Sequence, residues 1–117
     1  MTNQTFAQGE IYARKIDELP DGLEAFSEKD ANGAWIISHS ESGHHHVIDA
    51  PGVMVMERTK DVPTGMRILY AIVDEPASLK QDAANAHEAH DMDLGIYEMR
   101  VSREYDPFLQ QARRVAD

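Results

Sequence analysis

The stretch Gly43-His44-His45-His46-Val47-Ile48-Asp49-Ala50-Pro51-Gly52-Val53-Met54-Val55-Met56-Glu57-Arg58-Thr59 decides the fold class. It holds two short runs rich in β-branched and apolar residues, His44 to Asp49 and Val53 to Thr59, parted by the turn pair Pro51-Gly52. Side chains alternate between the two faces of a strand. His44, His46 and Ile48 therefore share one face, and His45, Val47 and Asp49 the other. In the second run Val53, Val55 and Glu57 oppose Met54 and Met56. With Ile48 marking the interior, His44 and His46 point inward and His45 outward.

The same pattern recurs on both sides. Glu10 to Lys15, Ala34 to Ser38, Arg67 to Val73 and Ile96 to Arg103 are further strand candidates. Pro20-Asp21-Gly22, Asn32-Gly33, Ser42-Gly43, Pro63-Thr64-Gly65 and Gly95 punctuate them, and Asn32-Gly33 is the best hairpin signal. In the last strand Tyr97, Met99, Val101 and Arg103 alternate with Ile96, Glu98, Arg100 and Ser102. Short strands at this spacing predict a mainly β fold, a small antiparallel barrel or sandwich lined by Val, Ile, Met and Tyr. Helix is expected in two places. One is Ala77 to Ala89, where Glu75-Pro76 sets a start and four alanines favour it. The other is Phe108 to Val115, after Asp106-Pro107. The 117 residues fit a single domain, 1–117, with 107–117 a docked or frayed C-terminal segment.

Composition removes several function classes. A net charge of −10 argues against binding nucleic acid, which needs a basic face. No apolar run reaches membrane-spanning length, and Met1-Thr2-Asn3-Gln4-Thr5 lacks the basic start of a signal peptide, so a cytoplasmic protein is expected. With no cysteine, neither disulfides nor thiolate ligation are available. Arg100, Arg103, Arg113 and Arg114 make the C-terminal end basic against an acidic body, a polarity suited to self-association.

All six histidines lie between Ser38 and Asp91, mostly in Gly43-His44-His45-His46 and His87-Glu88-Ala89-His90. The first cluster places two imidazoles on one strand face. The second places two on one side of a helical turn, since residues three apart are neighbours there. Together they predict a divalent transition metal held by His44, His46, His87 and His90, with Glu57 or Glu88 as a substitute ligand. Imidazole and carboxylate donors suit zinc, iron, manganese, nickel or copper without choosing among them. The three-residue spacing in His87-Glu88-Ala89-His90 is not the four-residue spacing of zinc peptidases. If the site is catalytic, Glu88 or Glu57 is the candidate general base, in metal-assisted hydrolysis, isomerisation or oxygen chemistry on a small polar ligand. The alternative is two surface clusters satisfied by neighbouring acids.

The order strand, Gly43-His44-His45-His46, strand, later histidine, final strand resembles the cupin superfamily, small β-barrels whose metal is held by His-x-His and a later histidine. Where cupins usually place a glutamate, this chain reads Val47-Ile48-Asp49-Ala50-Pro51. Gly43 to His46, His87 to His90, Gly95-Ile96-Tyr97 and Arg103-Glu104-Tyr105 are also similar to segments of short uncharacterised phage and prophage proteins. That resemblance implies the host cytoplasm or, for a non-enzymatic capsid decoration or tail accessory subunit, the virion and a phage protein partner.

Overall fold

The computed structural model describes residues 5–39, 45–49, 51–81 and 89–102. Ten strands run in chain order: β1 Thr5–Gln8, β2 Ile11–Ile16, β3 Glu24–Ala25, β4 Trp35–Ser38, β5 His46–Ile48, β6 Val53–Arg58, β7 Met66–Val73, β8 Ala77–Gln81, β9 His90–Met92 and β10 Gly95–Ser102. They form a six-stranded sheet, β1-β2-β10-β7-β6-β3, and a four-stranded sheet, β4-β5-β8-β9, with every pairing antiparallel. Both sheets are open, so the sandwich is realised and not the closed barrel.

Alternation explains which faces meet. Ile11, Ala13, Val53, Val55, Leu69, Ala71, Val73, Tyr97, Met99 and Val101 line the inner face of the larger sheet. Ile37, Ile48, Leu79 and Met92 line that of the smaller one, and all belong to one buried cluster. Side chains of this size contribute about 1.5–3 kcal/mol each when fully buried.

Turn chemistry falls where expected. Gly33 (φ +86°) donates to Asp30, which in turn donates to Ala34, closing a tight turn at Asn32-Gly33. Met66 donates to Pro63 across the turn joining β6 to β7. Met54 is exposed while Val53 and Val55 are buried, the alternation read from the sequence.

The helix expected over Ala77 to Ala89 is corrected where it is described, since Ala77–Gln81 is β8, and directly after that range His90–Met92 is β9. Ala77 and Leu79 are buried against the core, while Ser78 and Lys80 are only partly covered, a period of two. Pairing with β5 on one side and β9 on the other outweighs the helix preference of alanine. No helix occurs among the described residues, and none there is long and apolar enough to cross a membrane. The second expected helix, Phe108 to Val115, lies outside the described residues.

One irregularity re-aims a side chain. Trp35 pairs with Ile48 and Ile36 with Val47, but the register then shifts so that Ser38, not Ile37, pairs with His46. Ile37 is the extra residue of a β-bulge, and the shift puts Ser38 on the His46 face.

Candidate functional site

His46 sits on β5 with only 5% of its surface exposed. It shares the core face with Ile48, whereas Val47 packs on the opposite face with Ala34 and Ile36. The β1–β2 hairpin reaches across from the larger sheet to meet it. At the hairpin tip Gly9 takes φ +57°, and a Cβ there would stand 2.9 Å from His46 Nε2. Only glycine therefore leaves this space beside the imidazole open.

The hydrogen bonds assign the ring's protons. Gln8 Nε2 donates to the Leu79 carbonyl at 3.1 Å, which turns Gln8 Oε1 toward His46. That oxygen lies 2.7 Å from Nδ1 and can only accept, so Nδ1 carries the hydrogen. Nε2 is left with its lone pair facing Glu10, whose Oε2 is 3.2 Å away. The carboxylate oxygen is buried and makes no hydrogen bond, with Nε2 or with any other group among the described residues. Burial pushes the imidazole below its usual pKa, the Glu10 charge pulls it back up, and His45 adds to the lowering. On balance the imidazole is held below its usual pKa.

Ser38 lies directly across from His46 and is fully buried, and its Oγ also lacks a hydrogen-bond partner among the described residues. Two orphaned oxygens and a free imidazole lone pair thus share one end of the sandwich. Most buried polar groups in proteins are satisfied, and among the described residues Glu10 Oε2 and Ser38 Oγ are exceptions.

The other residues expected from the sequence fall in different surroundings. His44, His87 and Glu88 lie outside the described residues. His90 is half-buried and stacked on Phe6, with ring centroids 4.9 Å apart. Phe6 and Gln8 are successive residues on one face of β1, so His90 and His46 abut neighbouring positions about 7 Å apart along that strand. His45 sits edge-on to His39 at 4.7 Å. His39 is 2.9 Å from Glu28, which also receives Arg67 at 2.8 Å. Glu57 lies 3.5 Å from that same Arg67, so it joins the His39–Glu28–Arg67 network and not the His46 site. Among the described residues no three His, Asp or Glu side chains are grouped closely enough to hold one ion.

A groove of about 520 Å³ lies elsewhere, lined by Asp49, Ser78, Lys80, Asp91 and Asp93 among others. Its groups are paired with one another, Lys80 to Asp49 at 2.8 Å and Ser78 to Asp91 at 2.9 Å. It does not contain His46.

Sequence reasoning missed Glu10 and the hydrogen-bonding role of Gln8. Both are 36 or more residues from His46, and only the hairpin crossing brings them near. The signal available was Gln8-Gly9-Glu10 itself, a glycine between two polar residues just before a strand.

These features define an antiparallel β-sandwich with a polar cluster buried at one end. The chain belongs to a family described as a domain of unknown function, DUF8820, whose match covers residues 7–102. No curated protein and no solved structure matches it.

Proposed function

We propose that this β-sandwich binds a divalent transition metal, with His46 Nε2 and Glu10 Oε2 as the core of the site. The observation that carries the reading is the 3.2 Å separation between His46 Nε2 and the buried Glu10 Oε2, which makes no hydrogen bond, while Gln8 engages Nδ1 on the far side of the ring. Metal–nitrogen and metal–oxygen bonds of about 2.0–2.2 Å place two ligands 3.2 Å apart at about 100° around one ion. That angle suits a tetrahedral or octahedral site. Without a cation, a lone pair and a carboxylate would face each other at a cost. The Gln8 amide, fixed by the Leu79 carbonyl, holds the far side of the ring as outer partners of metal-bound histidines do.

The remaining ligands come from the two histidine-bearing segments. Ser38, His46 and Gln81 form one row across β4, β5 and β8. In sequence, Ser38 stands shortly before the first histidine cluster and Gln81 shortly before the second, and both clusters fall largely outside the described residues. His44 and His87 complete the shell in this reading, with His90, beside Phe6, as the fourth histidine.

The test is metal uptake after reconstitution with zinc or cobalt, read by elemental analysis. About one equivalent is expected in the wild type and in His45→Ala, and none in His46→Ala or Glu10→Ala. Equal loss in His45→Ala and His46→Ala would break the assignment.

A second reading, a non-enzymatic subunit of a phage particle, draws on the outward face of the larger sheet, where Tyr12 and Met54 are exposed. A symmetric oligomer whose mass survives chelation, in a protein that takes up no metal, would favour it.

A further inference from the structure

We propose that the outward face of the larger sheet docks a second copy of this chain, which meets it with the aspartate-lined groove on the outward face of its smaller sheet. The inference needs neither the metal nor a phage setting, and it gives a partner to the face on which the second reading above draws.

Strand register sets what the first face presents. Met54, Ile72, Ile96 and Ile16 form one row across β6, β7, β10 and β2. None of the four is buried, and Met54 is 57% exposed. The rows beside it hold Glu98 with Arg14, then Arg58, Arg100 and Tyr12. An apolar stripe flanked by methionine, arginine and tyrosine has the composition of protein interfaces, where these residues exceed their share of ordinary surface. Three arginines meet one glutamate, so this face is positive on a chain whose net charge is −10.

The other side of the sandwich carries the reverse pattern. Ser78 and Lys80 point outward from β8, with Asp91 bonded to the first and Asp49 to the second. With Asp93 they line the groove of about 520 Å³, three aspartates against one lysine. Two copies that met through their arginine rows would bring like charges together. A positive face against a negative one is complementary, and because the two lie on opposite sides of one sandwich the contact is head-to-tail and leaves a free face at each end. Four strands about 4.8 Å apart and three rows about 7 Å apart give a footprint of about 400 Å². That is half of the roughly 800 Å² each partner of a standard interface buries, so the contact is weak and needs high protein concentration.

The experiment follows the average mass of the full-length protein by sedimentation equilibrium in EDTA, from micromolar to millimolar, at about 0.1 M and about 1 M salt. In low salt the wild type should rise past twice the monomer mass with no plateau, and high salt should return it toward monomer. Arg58→Glu and Asp91→Asn/Asp93→Asn should each associate at least about tenfold more weakly. Their equimolar mixture should form a one-to-one complex that grows no further, since each supplies the face the other lacks. A wild type that stays monomeric at every concentration overturns the inference, and so does a mixture that associates no better than its components. A closed oligomer of fixed mass, unmoved by salt, overturns it as well and leaves the second reading standing.

Discussion

Glu98 and Glu10 are both glutamates with buried carboxylate oxygens, and they are treated in opposite ways. Glu98, on the outward face of β10, receives Arg14 at 3.1 Å and Arg100 at 3.2 Å on one oxygen and the Tyr70 hydroxyl at 3.0 Å on the other. Glu10 Oε2 receives nothing. The first is a closed network whose members need no further partner. The second is an open one, beside an imidazole lone pair and a hydroxyl that are equally unclaimed. Satisfied polar groups hold a fold together, whereas Glu10 Oε2 adds no hydrogen bond to the fold.

The contrast breaks or holds on measurable differences. Glu98→Ala has the largest expected effect, because it strands the Tyr70 hydroxyl and removes two arginine contacts. With both arginines about half exposed, their share is discounted, and a loss of about 2–3 kcal/mol in urea unfolding is expected, with metal uptake unchanged. A loss below 0.5 kcal/mol, to the order of this reasoning, would show that the network is not structural.

Acid titration gives a smaller effect of fixed sign. Burial alone would raise the Glu98 pKa, but the bonds from Arg14, Tyr70 and Arg100 outweigh it and hold the group below the usual carboxylate range. A depressed folded value contributes stability that is complete above the unfolded pKa of about 4.3 and is lost as pH falls through the folded one. The urea midpoint of the wild type should thus drop more between pH 5 and pH 3 than that of Glu98→Gln. Parallel profiles would remove the linkage.

The smallest stability change is expected at the open site. Glu10→Gln in the metal-free protein should move unfolding by less than about 0.5 kcal/mol, since no hydrogen bond to Oε2 is lost, while weakening metal uptake at least tenfold. A metal-free destabilisation as large as that of Glu98→Ala would make the two carboxylates alike and end the comparison.

The β architecture was legible because the strands with strong alternation announce themselves. Val53-Met54-Val55-Met56 and Tyr97 to Val101 show their buried faces in sequence, and Ile48 correctly marks the face that buries His46. β3 and β9 are two and three residues long, too short for any period to register. β8 was hidden by the alanines that follow it, although Ala77, Leu79 and Gln81 do alternate with Ser78 and Lys80. The site was half legible. His-x-His spacing is a local property, and with Ile48 as the inward marker it predicts that His46 is buried, as it is. Glu10 and Ser38 enter through a hairpin crossing between sheets and a one-residue register shift; Gln8-Gly9-Glu10 marks the hairpin tip but not what it crosses to, and the shift leaves no local trace.

The bulge at Ile37 keeps two residues of β4, Ile37 and Ser38, on the buried side opposite His46, where an uninterrupted ladder would keep one. In that uninterrupted ladder Ile37 would pair with His46 and Ser38 would turn to the other face. A slip of one residue between β4 and β5 is therefore enough to exchange a hydroxyl for an aliphatic side chain beside the imidazole, with no change in composition.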